Sequence, residues 1–177
     1  MPAIVEAARD SLGASGVGGL SMREVAKRLD VAPNALYSHV ESKAALVDAV
    51  LDDLIGEIPL PGPAMGPRDS ILAIMCDSFD ALVRHPDLVA LSLARQGSGG
   101  SNAWRLGDSI LESFAAAGVQ DAEARDGLRI ILVHMMGCAA FATQYDHRLG
   151  GTPPHAVASV RADYVRGLGW LLDGILP

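Results

Sequence analysis

The sequence predicts an all-α protein of about nine helices, and three observations carry that expectation. Apolar residues recur at i, i+3, i+4 and i+7 through most of the chain. Runs of alternating β-branched residues are absent. Half of the 177 residues are apolar while only 5% are aromatic, so the core must be aliphatic and alanine-rich, as close helix packing favours.

Taken in order, Ile4, Val5, Ala8 and Leu12 make the stripe of a first helix, expected to end at Gly13, with Ala14 to Gly19 as a loop. Ser21 can cap a second helix, with Glu24 as the reciprocal partner of a capping box. Met22, Val25, Ala26 and Leu29 give this helix its buried stripe. Asp30-Val31-Ala32 suffices for a tight turn, and Pro33 sits at a first helical position, where its missing N–H costs nothing. Leu36 and Val40 form an i, i+4 apolar pair, which leaves Asn34, Ala35, Ser38 and His39 facing out. Two short helices joined by a turn, the second with small and polar outward residues, have the layout of a helix-turn-helix DNA reader.

Ser42 is the next cap, followed by a fourth helix striped with Val47, Val50, Leu51 and Leu54. The prolines and glycines from Pro59 to Pro67 cannot continue a helix. Residues 1–57 are therefore expected to form the reader, 58–67 a linker and 68–177 a helical body. In the body, Ile71, Met75, Phe79 and Leu82 mark a fifth helix that stops near His85-Pro86, and Asp87 to Arg95 makes a short sixth. Gln96 to Ser101 is a Gly/Ser break. Trp104, Leu106, Ile110, Leu111 and Phe114 organise a seventh helix, closed by Gly118.

The eighth, from about Asp121 to Tyr145, is apolar on nearly every face and must be covered nearly all round. Its small residues Gly137, Ala139, Ala140 and Ala142 are where a neighbour is expected to approach. After a Gly/Pro loop the last helix carries Val157, Val160, Tyr164, Leu168, Leu171, Leu172 and Ile175. Two long apolar helices exceed what one small body buries, so a homodimer through them is expected, with Leu168 and Leu171 in the interface.

The stretch LSMREVAKRLDVAPNALYSHVESKAAL, from Leu20, resembles the helix-turn-helix of the tetracycline-repressor (TetR) family of transcriptional regulators. Ala26, Val31, the Leu36-Tyr37 step, the His39-Val40 pair and Lys43 carry the likeness, which covers about the first third of the chain. Two departures are Asp30 where the turn usually has Gly, and Ala32 where a capping Ser is common. The resemblance implies a dimeric repressor that binds an operator in double-stranded DNA and releases it to a small-molecule effector. It places Tyr37, His39 and Lys43 on the DNA backbone, where hydroxyl and ammonium groups fix register without reading sequence. Arg23 can hold a phosphate; Asn34 suits adenine and Ala35 a thymine methyl. Ser21 and Pro33, at the two helix starts, complete the expected DNA-facing set.

A net charge of −7 opposes this reading, since phosphate neutralisation supplies most non-specific affinity. Within residues 1–58 five Lys/Arg face nine Asp/Glu, a net −4. From Ser21 to Lys43 the balance is +1, four against three. Asp48, Asp52, Asp53 and Glu57 lie on the fourth helix, where they can face away from DNA.

For the effector, Phe79, Trp104, Phe114, Met135 and Phe141 offer apolar walls, with Arg95, His134 and Cys138 as polar or polarisable groups. By rough alignment the metal-binding His of the tetracycline repressors falls near Leu91, so no magnesium-tetracycline site is expected. His134 and Cys138 share a helix face at i, i+4, and Asp146 and His147 follow. This leaves open a helical enzyme or metal protein centred on His134, Cys138 and His147. A ligand-binding module without DNA recognition is also open. No catalytic triad, paired carboxylate site or phosphate-binding loop is recognisable, and neither enzyme activity, cofactor nor metal is expected. Cys76 and Cys138 lack a CxxC spacing and read as reduced, buried thiols in a cytoplasmic protein. The longest uncharged run, Ile130 to Tyr145, has 16 residues, short of a bilayer span, and no membrane association is expected.

Overall fold

The computed structural model describes residues 2–94, 99–143 and 157–177. Among these the chain forms α1 (Pro2–Gly19), α2 (Met22–Arg28), α3 (Pro33–Tyr37), α4 (Lys43–Gly56), α5 (Pro67–Arg84), α6 (Pro86–Ala94), α7 (Ser101–Ala116), α8 (Asp121–Thr143) and α9 (Val157–Ile175). The described residues contain no strand.

The apolar stripes bury into two clusters. Ile4, Val5, Ala8 and Leu12 of α1 meet Val25, Ala26, Leu36, Val40, Leu46, Val47, Val50 and Leu54. The second cluster runs from Ile58 to Leu172 and joins α5, α7, α8 and α9. Tyr164 is fully buried at its centre. Its ring stacks on Phe79 with centroids 4.5 Å apart, and its hydroxyl donates to the Met75 carbonyl at 2.9 Å. In a core with so few aromatics, this pair fills the volume between α5 and α9. Arg161 adds a two-pronged ion pair to Asp80, both contacts 2.7 Å, across the same helices.

Several expectations need correction. Helix α1 does not end at Gly13 but continues to Gly19 across a break at Gly16, whose φ of 62° suits a residue without a Cβ. Leu46, rather than the partly exposed Leu51, completes the buried stripe of α4. Trp104 does not organise the packing of α7, because it stands 67% exposed at that helix's outer face. Close approach to α8 occurs at Gly127 and at Gly167 of α9, not at Gly137. A Cβ on Gly167 would lie 2.8 Å from the His134 ring, and nothing lies within 4 Å of one on Gly137. The expected loop after Tyr145 lies outside the described residues, as do Arg95 and His147.

Helix α8 is only partly covered. Its Ile131, Met135 and Ala139 are buried, yet Val133 is 66% and Phe141 60% exposed, and on α9 Trp170 is 69% exposed. Leu168, expected in a dimer interface, is instead fully buried in the chain's own bundle, and Leu171 is half-buried. With its 23 residues, α8 is long and apolar enough to cross a membrane by length and composition, beyond what its uncharged run suggests. Here it packs along α9 and against α5, α6 and α7, as the central helix of a bundle.

Tyr164→Phe removes the buried side-chain hydrogen bond to the Met75 carbonyl and is expected to lower unfolding free energy by about 1–2 kcal/mol. Phe79→Ala, which opens a cavity beside the same ring, should cost about 3–5 kcal/mol. Urea unfolding of both variants checks the pair; equal and negligible losses contradict this account of the core.

Candidate nucleic-acid interface

The exposed surface of α2 and α3 rests on local hydrogen bonds that the sequence specifies. Ser21 Oγ accepts from the Glu24 N–H at 3.2 Å. The return half of the expected capping box is replaced, because the Glu24 carboxylate pairs with Arg28 at 3.4 Å. Helix α2 then closes with Val31 N–H on the Ala26 carbonyl (3.0 Å) and Asp30 N–H on the Lys27 carbonyl (3.3 Å). This is a Schellman ending, and it requires a left-handed residue at Asp30, whose φ is 53°. After glycine, aspartate and asparagine are among the side chains that enter this conformation at least cost.

Helix α3 starts at Pro33 with no side-chain cap from Ala32. Its end is tightened by His39 N–H and Val40 N–H, both 2.9 Å from the Leu36 carbonyl, and by Ser38 Oγ donating to the Ala35 carbonyl at 2.8 Å. Val40 thus lies beyond the helix yet is buried with Leu36. The remaining side chains point outward. Asn34, Ala35, Ser38 and His39 are exposed, Tyr37 is 50% exposed, and Arg23, Pro33 and Lys43 are exposed beside them. Ser21 is half-buried as a cap. Ser42 Oγ accepts from Ala45 N–H at 3.1 Å and begins α4 with Lys43 in its first turn.

The acidic residues of α4 are engaged toward its far end. Arg9 of α1 pairs with Asp53 at 2.8 Å and Glu57 at 2.7 Å. Asp52 reaches the start of α7, where its Oδ1 accepts from the N–H groups of Asn102 (3.0 Å) and Ala103 (3.1 Å). The Asn102 amide returns a bond of 3.0 Å to the Asp52 carbonyl. Arg105 donates to the Ile58 carbonyl at 2.9 Å, just past the end of α4. The sequence reading missed Asp52, Asn102 and Arg105. One signal was present: α7 opens at Gly100 with no acid in its first turn, so its amides need a cap from elsewhere.

The expected effector residues do not line one cavity. Phe79 and Phe114 are closed into the core. His134 Nε2 lies 3.1 Å from the Tyr164 carbonyl, and its Nδ1 is 3.8 Å from Cys138 Sγ. Phe79, His134 and Cys138 therefore gather around Tyr164, while Trp104 and Phe141 face outward. A cleft of about 430 Å³ lined by Pro67, Arg68, Ala117, Leu172, Asp173, Leu176 and Pro177 includes none of them. Both thiols are half-buried rather than buried, and burial pushes each above its ordinary range. Among the described residues no three His, Cys, Asp or Glu side chains are grouped to hold a metal.

Residues 4–50 match the sequence family described as bacterial regulatory proteins, tetR family. An HTH-type transcriptional regulator of Saccharopolyspora erythraea is 33% identical over 148 residues, which are 82% of this chain and 61% of that protein. The HTH-type transcriptional repressor DrrR1 of Streptomyces coeruleorubidus is 31% identical over 140 residues, 77% of this chain and 51% of the relative. The chain thus spans about half to three-fifths of the length of these curated relatives. Among solved structures, Mycobacterium smegmatis BioQ superposes with a TM-score of 0.80 at 29% identity, covering 98% of this chain and 96% of that one. BioQ with its natural double-stranded DNA operator gives 0.74 at 27% identity, with 98% and 96% covered.

The left-handed turn makes a prediction. Asp30→Gly should fold at least as stably as the parent, whereas Asp30→Val should lose about 1–2 kcal/mol, because a β-branched residue resists positive φ. Thermal unfolding of the two variants compares them directly; an unharmed Asp30→Val protein contradicts the Schellman ending.

Proposed function

The chain belongs to the tetR family of bacterial regulatory proteins, and from that premise we propose that it is a cytoplasmic transcriptional repressor. It binds double-stranded operator DNA as a homodimer and releases it when a small, mostly apolar effector occupies the body. The observation that carries this reading is the outward strip of α3. Leu36 and Val40 are buried beneath it, while Asn34, Ala35, Tyr37, Ser38 and His39 are exposed to solvent. A helix held only by its inner face offers its outer side chains to a major groove. BioQ, similar along nearly the whole chain, is known with a duplex operator, which supports the same use here.

In this reading Tyr37, His39, Lys43 and Arg23 hold phosphates, and Asn34 and Ala35 meet base edges. Ser21 and Pro33 act by fixing the helix starts. The paired acids of α4 keep their charge at the end of that helix away from Lys43, so the local field near the reader is less negative than the total. The second subunit covers the exposed Val133, Phe141 and Trp170 on α8 and α9, aromatic and aliphatic groups of the kind that anchor interfaces. The effector lodges against Phe79, His134 and Cys138 around Tyr164. That cluster is closed in the present conformation, so an effector that opens it prefers a different state, and only such a preference can shift binding.

Duplex-binding titrations test the reader. Tyr37→Phe and Lys43→Ala should weaken all sequences by similar factors, and Lys43→Ala should lower the slope of log affinity against log salt by about one per reader. Asn34→Ala should relax preference at one base pair, a discrimination loss of about 1–3 kcal/mol. Wild-type behaviour in all three would remove the reader assignment. For the dimer, Val133→Glu and Trp170→Glu should yield folded monomers by light scattering that no longer hold a two-site operator. Persistence of the dimer in both variants would place the interface elsewhere.

A further inference from the structure

Helices α4 and α7 cap each other at their opposite ends. The Asp52 carboxylate occupies the first free amides of α7, while Arg105 from the second turn of α7 donates to the Ile58 carbonyl and, at 3.5 Å, to the Gly56 carbonyl. Ser101 Oγ and the Asn102 amide add contacts of 3.4 and 3.3 Å to the same carboxylate. The join is tight on both sides. A Cβ on Gly100 would run into the Asp52 carboxylate, and one on Gly56 would lie 2.8 Å from the Asn102 amide. Opposite helix-end charges, an α4 carboxylate on amides and an α7 guanidinium on carbonyls, complement the dipoles of both helices.

We infer that Asp52, Asn102 and Arg105 are positioning residues that set operator affinity by clasping the far end of α4 and so fixing the tilt of the reader. The inference rests on the DNA-binding function proposed above. Lys43 stands nine residues up the same helix from Asp52, about 13 Å along its axis. A tilt of about 10° at the clasp therefore carries Lys43 by about 2 Å, more than the roughly 0.5 Å tolerance of a hydrogen bond to phosphate. In a dimer the two displacements act on the separation of the readers, which must match successive major grooves. One reader alone is free of that constraint. The clasp thus governs binding to two half-sites and leaves binding to one half-site alone.

The test uses the full chain and a duplex carrying both half-sites recovered by the wild-type protein from a random pool, beside the same duplex with one half-site scrambled. Asp52→Ala and Arg105→Ala should lose about tenfold or more on the two-site duplex and about twofold or less on the single site, with an unchanged salt slope. Asp52→Asn keeps an oxygen that accepts from N–H and should retain most of the affinity. Asn102→Ala, which removes only a side-chain amide, serves if Asp52→Ala fails to fold and should show the same two-site selectivity in smaller degree. Equal losses on both duplexes, or wild-type binding to both, overturn the clasp. A wild-type chain that recovers no DNA sequence overturns the proposed function and the clasp together, whereas an indifferent variant overturns the clasp alone.

Discussion

A five-residue helix has no stability of its own, because nucleating one turn fixes more dihedral angles than its few hydrogen bonds repay. Helix α3 depends on the burial of Leu36 and Val40 in the cluster made by α1, α2 and α4. That constraint shapes the whole first unit. It calls for a long α1 to supply Ile4, Val5, Ala8 and Leu12, a left-handed Asp30 to turn the chain, and Ser42 to start α4 at once. Because Leu36 and Val40 anchor α3 from its inner side, its outer face stays open to solvent.

Charge then bears on how an acidic chain would present this face to the DNA proposed as its partner. The reader is net negative by count, and its acids at the end of α4 are held in place there: Asp53 and Glu57 share the single guanidinium of Arg9, and Asp52 accepts from the amides of α7. These acids serve the joint with the body, toward the end of α4 remote from Lys43. Pairs as exposed as those of Arg9 contribute little stability. Their consequence is placement of charge, and the α4–α7 joint makes the orientation of the reader answerable to the bundle below it.

Much of this was legible in the chain. Ser21, Pro33 and Ser42 announce helix starts by local chemistry, and Leu36 and Val40 announce the inner face by spacing alone. The left-handed turn at Asp30 was signalled only by the family resemblance, which puts Gly at that position. What was not legible depended on distant partners. Local pattern cannot say that the break in α1 falls at Gly16 rather than Gly13, or that Glu24 turns to Arg28 instead of Ser21. Trp104 and Phe141 read as lining residues because aromatics are usually buried, whereas both face outward; Leu168 read as interface but is core. In a helix apolar on most faces, periodicity loses its power to say which face meets which neighbour. Asp52 and Asn102 are fifty positions apart, and their meeting is a property of the bundle.

In the function proposed here, paired α3 helices read DNA sequence. The most direct measurement is enrichment of a random duplex pool on the full chain, followed by sequencing of what it retains. Two inverted half-sites with centres about 34–36 Å apart are expected, as two-fold related readers in successive major grooves require. A retained pool no different from the starting one, or one with a single unpaired site, would contradict it.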